Sequence, residues 1–293
     1  MDLNTFIVTV FTIIDDWYQS QDMKLRRRGP RPTLHDSEVL TIEIVGAFLG
    51  MSKEKDVFLY FRRHYAHYFP KLPDVHRTTY TRQSANLCFV KGRLWQDLLT
   101  VVAFDPALTI VDSMPVPVCR FARAYRCHRL VEIAAYGHDE VARQTFFGVR
   151  THLQVCWPGV IVGLQIAPAD VHELLVAEEM LTGASGWTLG DRNYWSPELT
   201  HRLHEQNMHL LAPFKSKKRE QKPWPTWLKH KRYRIETVFG QLVERFQAKQ
   251  VWARDAWHFC SRWLRRILSH TFAIYLCQQN GISSLRFAEL VIE

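Results

Sequence analysis

The first hundred residues repeat apolar side chains with a helical period. The segment Asp36–Phe48 places its apolar residues on one helical face, and Gly50 follows it as a stop. A second helix is predicted for Ser52–Tyr68, because Pro70 cannot continue one. The polar segment Thr78–Asn86 can read base edges in a DNA groove, or it can be a solvated helix face.

From residue 105 the pattern changes to apolar strands that alternate with helices. The predicted strands are Leu108–Asp112, Thr145–Cys156, Val160–Ala167, Trp187–Asp191 and Met208–Phe214. The first predicted helix of this region has Asp170 as its cap and ends at Leu181. The next two cover Pro197–Gln206 and Lys229–Gln247. A last helix, Ala256–Gln279, is expected to pack on the outside, with three arginines facing solvent or DNA: Arg262, Arg265 and Arg266.

Composition narrows the class of partner. The 293 residues, of which 47% are hydrophobic, suffice for one large domain or two moderate ones. A net charge of +9 indicates a polyanion, either nucleic acid or an acidic membrane surface. The longest apolar run, Phe6–Ile14, is too short to span a bilayer and follows no basic region, so a cytoplasmic protein without membrane contact is expected.

The six cysteines show no Cys-x-x-Cys spacing, which predicts reduced thiols in or near the core. A zinc site at Cys119, Cys127 and His128 is the alternative, but the spacing typical of zinc ligands is missing.

Three carboxylates carry the candidate chemistry. Asp112 and Asp191 each close a short apolar segment, and Glu236 lies on a basic helix. Such carboxylates can hold paired divalent metals against a phosphodiester, and oxygen ligands suit Mg²⁺. Each acid also has an ordinary interpretation: a strand-end turn, an Asx turn, or an i,i+4 pair with Arg232. The predicted topology favours the joint catalytic interpretation. The competing acids are Asp105, Asp139, Asp170, Glu173, Glu244 and Asp255, of which Asp170 and Glu173 are interpreted as helix-start residues.

The segments Val111–Pro115, Leu189–Tyr194 and Arg234–Phe239 resemble the three acidic motifs of DDE transposases from bacterial insertion sequences, most closely the insertion-sequence 982 family. The resemblance extends over nearly the whole chain. It implies a helical DNA-binding region over 1–104 and an α/β catalytic domain over 105–293. That domain would have a ribonuclease-H-like mixed sheet (βββαβαβα) and a C-terminal helix, with its first and fourth strands adjacent.

The resemblance also implies the mechanism. Asp112, Asp191 and Glu236 would be catalytic and would bind two Mg²⁺ or Mn²⁺ ions roughly 4 Å apart. Water would cleave the transposon end, and the freed 3′-hydroxyl would then attack target DNA. The implied partners are DNA, as terminal inverted repeats and target, and a second copy in a homodimer at the bacterial nucleoid.

The chain departs from the family pattern at two places. Many relatives have Asp-Lys-Gly-Tyr where this chain has Asp191-Arg192-Asn193-Tyr194. Related groups place a cation about two turns after the helical Glu, where this chain has Val243. The nearest cation there is Arg245.

Basic residues supply the candidate DNA contacts. Lys215–Arg234 carries nine Lys or Arg residues, one acid and two tryptophans; DNA contact is favoured over a solvated loop. The cluster at 24–31 is either a phosphate-binding arm or a plain linker. The predicted DNA-binding residues are Lys215, Lys217, Lys218, Arg219, Lys222, Arg232, Arg234, Arg245, Arg192, Tyr194, Arg82, Arg26, Arg27 and Arg28.

Two residues of the second predicted strand, His152 and Arg150, are candidates to contact the metal ligands without binding the metal themselves. His152 can approach the scissile phosphate or can be a core histidine bonded to the backbone. Tyr194 can stack on DNA or can anchor its loop. Two rival functions stay open: a non-catalytic DNA-binding protein derived from a transposase, and another ribonuclease-H-like endonuclease that cuts without joining.

Overall fold

The computed structural model describes residues 1–21, 31–181, 186–214 and 226–292. Its helices are α1 Leu3–Gln19, α2 Asp36–Phe48, α3 Glu54–His64, α4 Arg77–Asn86, α5 Cys88–Leu99, α6 Glu173–Leu181, α7 Pro197–Glu205, α8 Thr226–Arg232, α9 Arg234–Glu244, α10 Ala256–Gln279 and α11 Phe287–Leu290. Its strands are β1 Asp105–Pro117, β2 Ala135–Asp139, β3 Gln144–Trp157, β4 Val160–Pro168, β5 Gly186–Leu189 and β6 Met208–Leu211. None of the described helices is long and apolar enough to cross a membrane.

The chain divides into two compact units. The helical unit comprises Met1–Ala103, Leu242–Trp252 and Ala256–Glu293, and the sheet unit comprises Phe104–Gln241 and Ala253–Asp255. The predicted division at 104/105 lies next to the first boundary. However, most of 242–293 groups with the helices, because α10 packs against α2 and α5. The functions assigned to the two regions stay predictions.

In the helical unit, α10 is a core helix. The predicted bounds Asp36–Phe48 and Ala256–Gln279 are confirmed, but the predicted outward orientation of the α10 arginines is wrong. Arg265 and Arg266 are each 1% exposed. Arg266 donates to the carbonyls of Phe246, Gln247 and Gln250, and burial lowers its pKa to about 9. The side chain of Arg262 is mostly buried and pairs with Glu54 at 2.7 Å. Hydrogen bonds to carbonyls and acids make the burial of these guanidinium groups tolerable.

A buried ion pair lies beside these arginines. Lys91 Nζ on α5 lies 2.7 Å from Glu43 Oε2 on α2, and both side chains are 1% exposed. The same ammonium donates to the Ser84 carbonyl and to Ser261 Oγ. Removing one partner of such a pair is strongly destabilising, because the other charge remains buried without full compensation.

We therefore expect Lys91→Met to lower the free energy of unfolding by about 3 kcal/mol. The control is Arg93→Met, which removes an exposed pair with Asp97 on the same helix and is expected to change it by less than about 1 kcal/mol. Denaturant titration measures both changes. Equal effects of the two substitutions would contradict a stabilising role for the buried pair.

The sheet unit is built on one mixed sheet. β1 lies between β3, which is antiparallel to it, and β5, which is parallel to it; β6 then extends the sheet parallel to β5. On its other edge β3 pairs with β4, so that the path reads β4-β3-β1-β5-β6. This is the ribonuclease-H-like arrangement, which confirms the predicted fold class. The additional strand β2 pairs antiparallel with the first residues of β3.

Several elements differ from the prediction. The first strand was predicted to end at Asp112, but β1 continues to Pro117, so that Asp112 lies within the strand. The sequence of β2 lacks the apolar alternation that marks a strand, and it forms only beside β3. The single helix predicted for Lys229–Gln247 is two helices, α8 and α9, separated at Tyr233. The ring of Trp157 contacts both helices at this junction. Lys231 Nζ lies 3.3 Å and Arg234 Cζ lies 4.7 Å from the ring centroid. Cations on an aromatic face are favourable contacts.

Candidate functional site

The pairing of β1 with β5 brings two distant aspartates to one region. Residues Leu108–Ile110 pair in parallel register with Trp187–Leu189, and Asp112 and Asp191 follow the paired residues on their two chains. Gly186 permits the approach, because its φ is +89° and a Cβ there would lie 2.6 Å from the Ala107 carbonyl oxygen. The predicted adjacency of the first and fourth predicted strands is thus confirmed.

A cleft of about 910 Å³ opens at this place in the sheet unit. All three predicted acids line it: Asp112, Asp191 and Glu236. The other residues of its wall are Ser113, Met114, Pro115, Asp139, Glu140, Val141, Arg150, Glu173, Arg192, Asn193, Pro213, Lys229, Arg232, Tyr233 and Phe239. Side chains from widely separated parts of the chain therefore share one cavity.

Burial and the repulsion of neighbouring negative charges raise the pKa values of the two aspartates. The pKa of Asp112 is raised to about 7, first by burial and then by the negative charges of Asp191 and Glu173. The pKa of Asp191 is also raised, first by burial and then by Glu173. Backbone N–H groups orient both carboxylates: Ser113 donates to Asp112 Oδ1 at 2.7 Å, and Asn193 donates to Asp191 Oδ1 at 2.8 Å. The pair carries more negative charge than its surroundings compensate.

Glu236 lies in the first turn of α9 and faces the same cleft. Its Oε1 accepts a hydrogen bond from Arg232 Nη2 at 3.2 Å. This is the i,i+4 pair that was the ordinary interpretation of Glu236, and it coexists with a position in the cleft. Arg232 also lowers the pKa of both aspartates from their buried values.

The acids of the cleft fit a hard divalent cation in their chemistry. Among the described residues, no group of three or more His, Cys, Asp or Glu side chains is arranged as a ready metal cage. Mg²⁺ does not require one, since it is bound through one or two carboxylates together with waters and substrate phosphates. The carboxylate pair supplies such ligands, and a buried Glu173 oxygen without a hydrogen-bond partner in the described chain adds uncompensated charge.

Sequence reasoning missed the part that Glu173 has in this cleft. The prediction made it a helix-start residue, and it is indeed the first residue of α6. The predicted cap, Asp170, is two residues too early. Instead, the ring of His172 accepts the Leu174 N–H. Glu173 is 8% exposed and acts electrostatically on both aspartates. An acid that opens a helix next to the sheet was the only signal in the sequence.

Arg150 and His152 point from β3 into different environments. Arg150 lines the cleft, where it donates to Glu173, to Ser113 and to the His138 carbonyl. The ring of His152 is fully buried, and within the described residues neither of its nitrogens has a hydrogen-bond partner. Its pKa is lowered to about 4 by burial and by Arg150. The backbone-bonded alternative for His152 is thus not what the structure has, and a role at the phosphate stays a prediction.

Tyr194 requires a correction. Its ring is 0% exposed and belongs to a core cluster with Val111, Leu181 and Leu199. Burial therefore raises the pKa of the hydroxyl well above its ordinary value. No base can stack on a ring enclosed in this way, so the anchoring alternative is the one that the structure contains. Arg192 lines the cleft and donates to the Phe214 carbonyl.

The other predicted DNA contacts lie in several places. Arg232 lines the cleft, Arg234 stacks on Trp157, and Arg82 is exposed on α4. Arg245 belongs to the helical unit, where its guanidinium covers the Phe48 ring at 4.8 Å and donates to the Phe48 carbonyl. The remaining predicted contacts lie outside the described residues: Arg26, Arg27, Arg28, Lys215, Lys217, Lys218, Arg219 and Lys222.

The comparison with family models covers almost all of the sheet unit together with residues 242–252 of the helical unit. A family model described as the transposase DDE domain matches residues 105–254, just over half of the chain. A comparison with curated proteins gave no match. A solved piggyBac transposase synaptic complex with hairpin DNA is similar over 97% of this chain and 76% of that chain, with 11% identity and a TM-score of 0.48. The Mos1 mariner paired end complex with Mn is similar over 89% of this chain and 86% of that chain, with 11% identity and a TM-score of 0.24. By the match over residues 105–254, this chain belongs to the transposase DDE domain family.

Proposed function

We propose that this protein is a transposase that cleaves DNA at transposon ends and joins the freed 3′ ends to target DNA. The observation that carries the proposal is the shared cleft in which Asp112 and Asp191 repel each other, within the part of the chain that matches the family. Asp112, Asp191 and Glu236 would hold two Mg²⁺ or Mn²⁺ ions. When bound, such ions activate the attacking oxygen and stabilise the leaving oxygen.

The residues of the chain divide this work. The Ser113 and Asn193 N–H groups fix the two aspartates, so that little reorganisation is needed when a substrate arrives. Arg232 keeps Glu236 at the wall of the cleft. Lys229 and Arg192 also line the cleft and provide positive charge for backbone phosphates. Tyr233, which is exposed at the junction of α8 and α9, offers a ring for an unpaired base.

The finer parts of the proposal rest on the motif resemblance. They are membership of the insertion-sequence 982 family, a bacterial host in which the protein works at the nucleoid, and a homodimer that holds two ends. They also include a DNA-binding role for the helical unit, for which the exposed Arg82 on α4 is a candidate contact.

The test uses purified full-length protein, Mg²⁺, labelled DNA carrying the flanking ends of its own gene, and a target plasmid. We expect nicking at the ends followed by covalent transfer to the plasmid, and neither reaction with Asp191→Ala. Equal nicking and joining by both proteins would remove Asp191 from the site. Cleavage without joining would favour a structure-selective endonuclease, and binding without cleavage would favour a non-catalytic DNA-binding protein.

Phosphate contacts should make DNA binding strongly dependent on salt. We expect Lys229→Gln to reduce the slope of log affinity against log salt concentration by about one, because one phosphate contact is lost. Lys231→Gln is the matched control, since Lys231 lies on the Trp157 ring. Fluorescence anisotropy at several salt concentrations measures the slopes. A salt-independent affinity of the wild type would contradict the assignment of the basic residues.

A further inference from the structure

Glu173 is an acid that the proposed mechanism has not used. It opens α6, is more than nine-tenths buried, and lines the cleft with Asp112 and Asp191. Its two oxygens differ. Oε1 accepts two hydrogen bonds, whereas Oε2 is buried and has no partner among the described residues. A buried acceptor of this kind is costly unless something satisfies it.

The side chain is held in place by a network within the sheet unit. Ser113 Oγ donates to Glu173 Oε1 at 2.6 Å, and Arg150 Nη1 donates to the same oxygen at 2.9 Å. Arg150 also donates to Ser113 Oγ at 3.0 Å and to the His138 carbonyl at 2.6 Å. Strands β1, β2 and β3 thus fix the orientation of an acid that belongs to α6.

The network continues to the first aspartate. Ser113, whose hydroxyl binds Glu173, donates its backbone N–H to Asp112 Oδ1 at 2.7 Å. A displacement of Glu173 would remove the acceptor of the Ser113 hydroxyl, although Arg150 still donates to that oxygen, and so would loosen the residue that orients Asp112. The charge of Glu173 also reaches both aspartates directly, since it raises the pKa of each.

We propose that Glu173 is a positioning residue for the aspartate pair: it orients Asp112 through Ser113, and its buried carboxylate strengthens the binding of a divalent cation by Asp112 and Asp191. The inference rests on the proposed function, because it assigns a divalent cation to this cleft. Arg150 limits the repulsion through its hydrogen bond to Oε1, while Oε2 keeps its charge without a hydrogen-bond partner among the described residues.

The alternative is a purely structural role, in which Glu173 only fastens α6 to the sheet. Both roles predict some loss of stability when the acid is replaced. Only the positioning role predicts weaker cation binding by protein that is still folded. The measurement therefore has to be binding of Mn²⁺ alone, without DNA.

The experiment measures Mn²⁺ affinity of the full-length protein by electron paramagnetic resonance, with thermal unfolding measured in parallel. We expect Glu173→Gln to weaken Mn²⁺ binding about tenfold, through loss of one neighbouring negative charge. Ser113→Ala should weaken it less, because the acid remains and only the link is cut. Glu178→Gln is the control, because it removes the same charge from the same helix. Glu178 is exposed and paired with Arg202, so this substitution should leave the Mn²⁺ affinity unchanged.

Unchanged Mn²⁺ affinity in folded Glu173→Gln would overturn the inference, and so would a wild type that binds no Mn²⁺. If Glu173→Gln fails to fold, Ser113→Ala decides: weaker binding supports the link, and wild-type binding overturns it. A wild type that binds Mn²⁺ but neither cuts nor joins DNA would refute the proposed function and leave this inference standing. Partial recovery of Mn²⁺ affinity in Glu173→Asp, relative to Glu173→Gln, would further support it.

Discussion

Asp191→Asn is expected to lower the rate of strand cleavage by at least about a thousandfold. The substitution keeps the size of the side chain and its ability to accept the Asn193 N–H. It removes the charge that would hold a divalent cation, and stabilisation by such a cation contributes several kcal/mol to phosphodiester chemistry. Asp112→Asn should have a similar effect, because the two carboxylates share the cleft.

Single-turnover nicking of an end-labelled substrate measures this loss, at saturating DNA so that binding does not limit the rate. Asp170→Asn is the control, since Asp170 is an exposed turn residue outside the cleft wall, and we expect it to cleave at the wild-type rate. A nicking rate of Asp191→Asn within tenfold of wild type would show that the chemistry does not depend on this carboxylate.

The sequence predicted those parts of the fold that depend on local pattern. The bounds of α2 and α10 and the order of five strands follow from apolar periodicity and from Pro and Gly stops, which act over a few residues. The adjacency of Asp112 and Asp191 then followed from the fold that the motifs implied. These predictions required no knowledge of side-chain packing.

The wrong predictions concern side chains whose environment depends on tertiary contacts. The α10 sequence shows arginines at positions that a surface helix would expose, but carbonyls and acids of the helical unit surround them. Tyr194 follows a motif acid and looks available to DNA, yet the neighbouring helices enclose its ring. Glu173 looks like an ordinary helix-start acid, because its partners Ser113 and Arg150 are far away in sequence.

The acids that the proposed function requires are also expected to lower the stability of the folded protein. Asp112, Asp191 and Glu173 repel one another in the folded chain and are far apart in the unfolded chain. Without a cation, this repulsion favours unfolding or protonation, and a substitution that removes the charge of Asp112 or Asp191 relieves it. The residues with the largest expected effect on cleavage are therefore expected to stabilise the fold when they are neutralised, as is common at functional sites.

The stability of the protein without divalent cations should consequently depend on pH through Asp112. The pKa of Asp112 is about 7 in the folded protein, against 3.8 for an unperturbed Asp, so the folded state binds the proton more tightly. The contribution of Asp112 to stability is then greatest below about pH 4, falls as the pH rises from about 4 to about 7, and is constant above that range. The total fall from this group is on the order of a few kcal/mol.

Asp112→Asn should remove this part of the pH dependence, so that in EDTA the variant is more stable than wild type at pH 8 but not at pH 4. Chemical denaturation at the two values measures the difference, and comparing the variant with wild type cancels the titration of other acids. Added Mn²⁺ should stabilise the wild type at pH 8 and have less effect on the variant, because a cation compensates the same charges that destabilise the fold. If wild type and Asp112→Asn lose the same stability between pH 4 and pH 8, Asp112 is not the strained acid of the cleft, and the electrostatic argument for a cation there loses its main support.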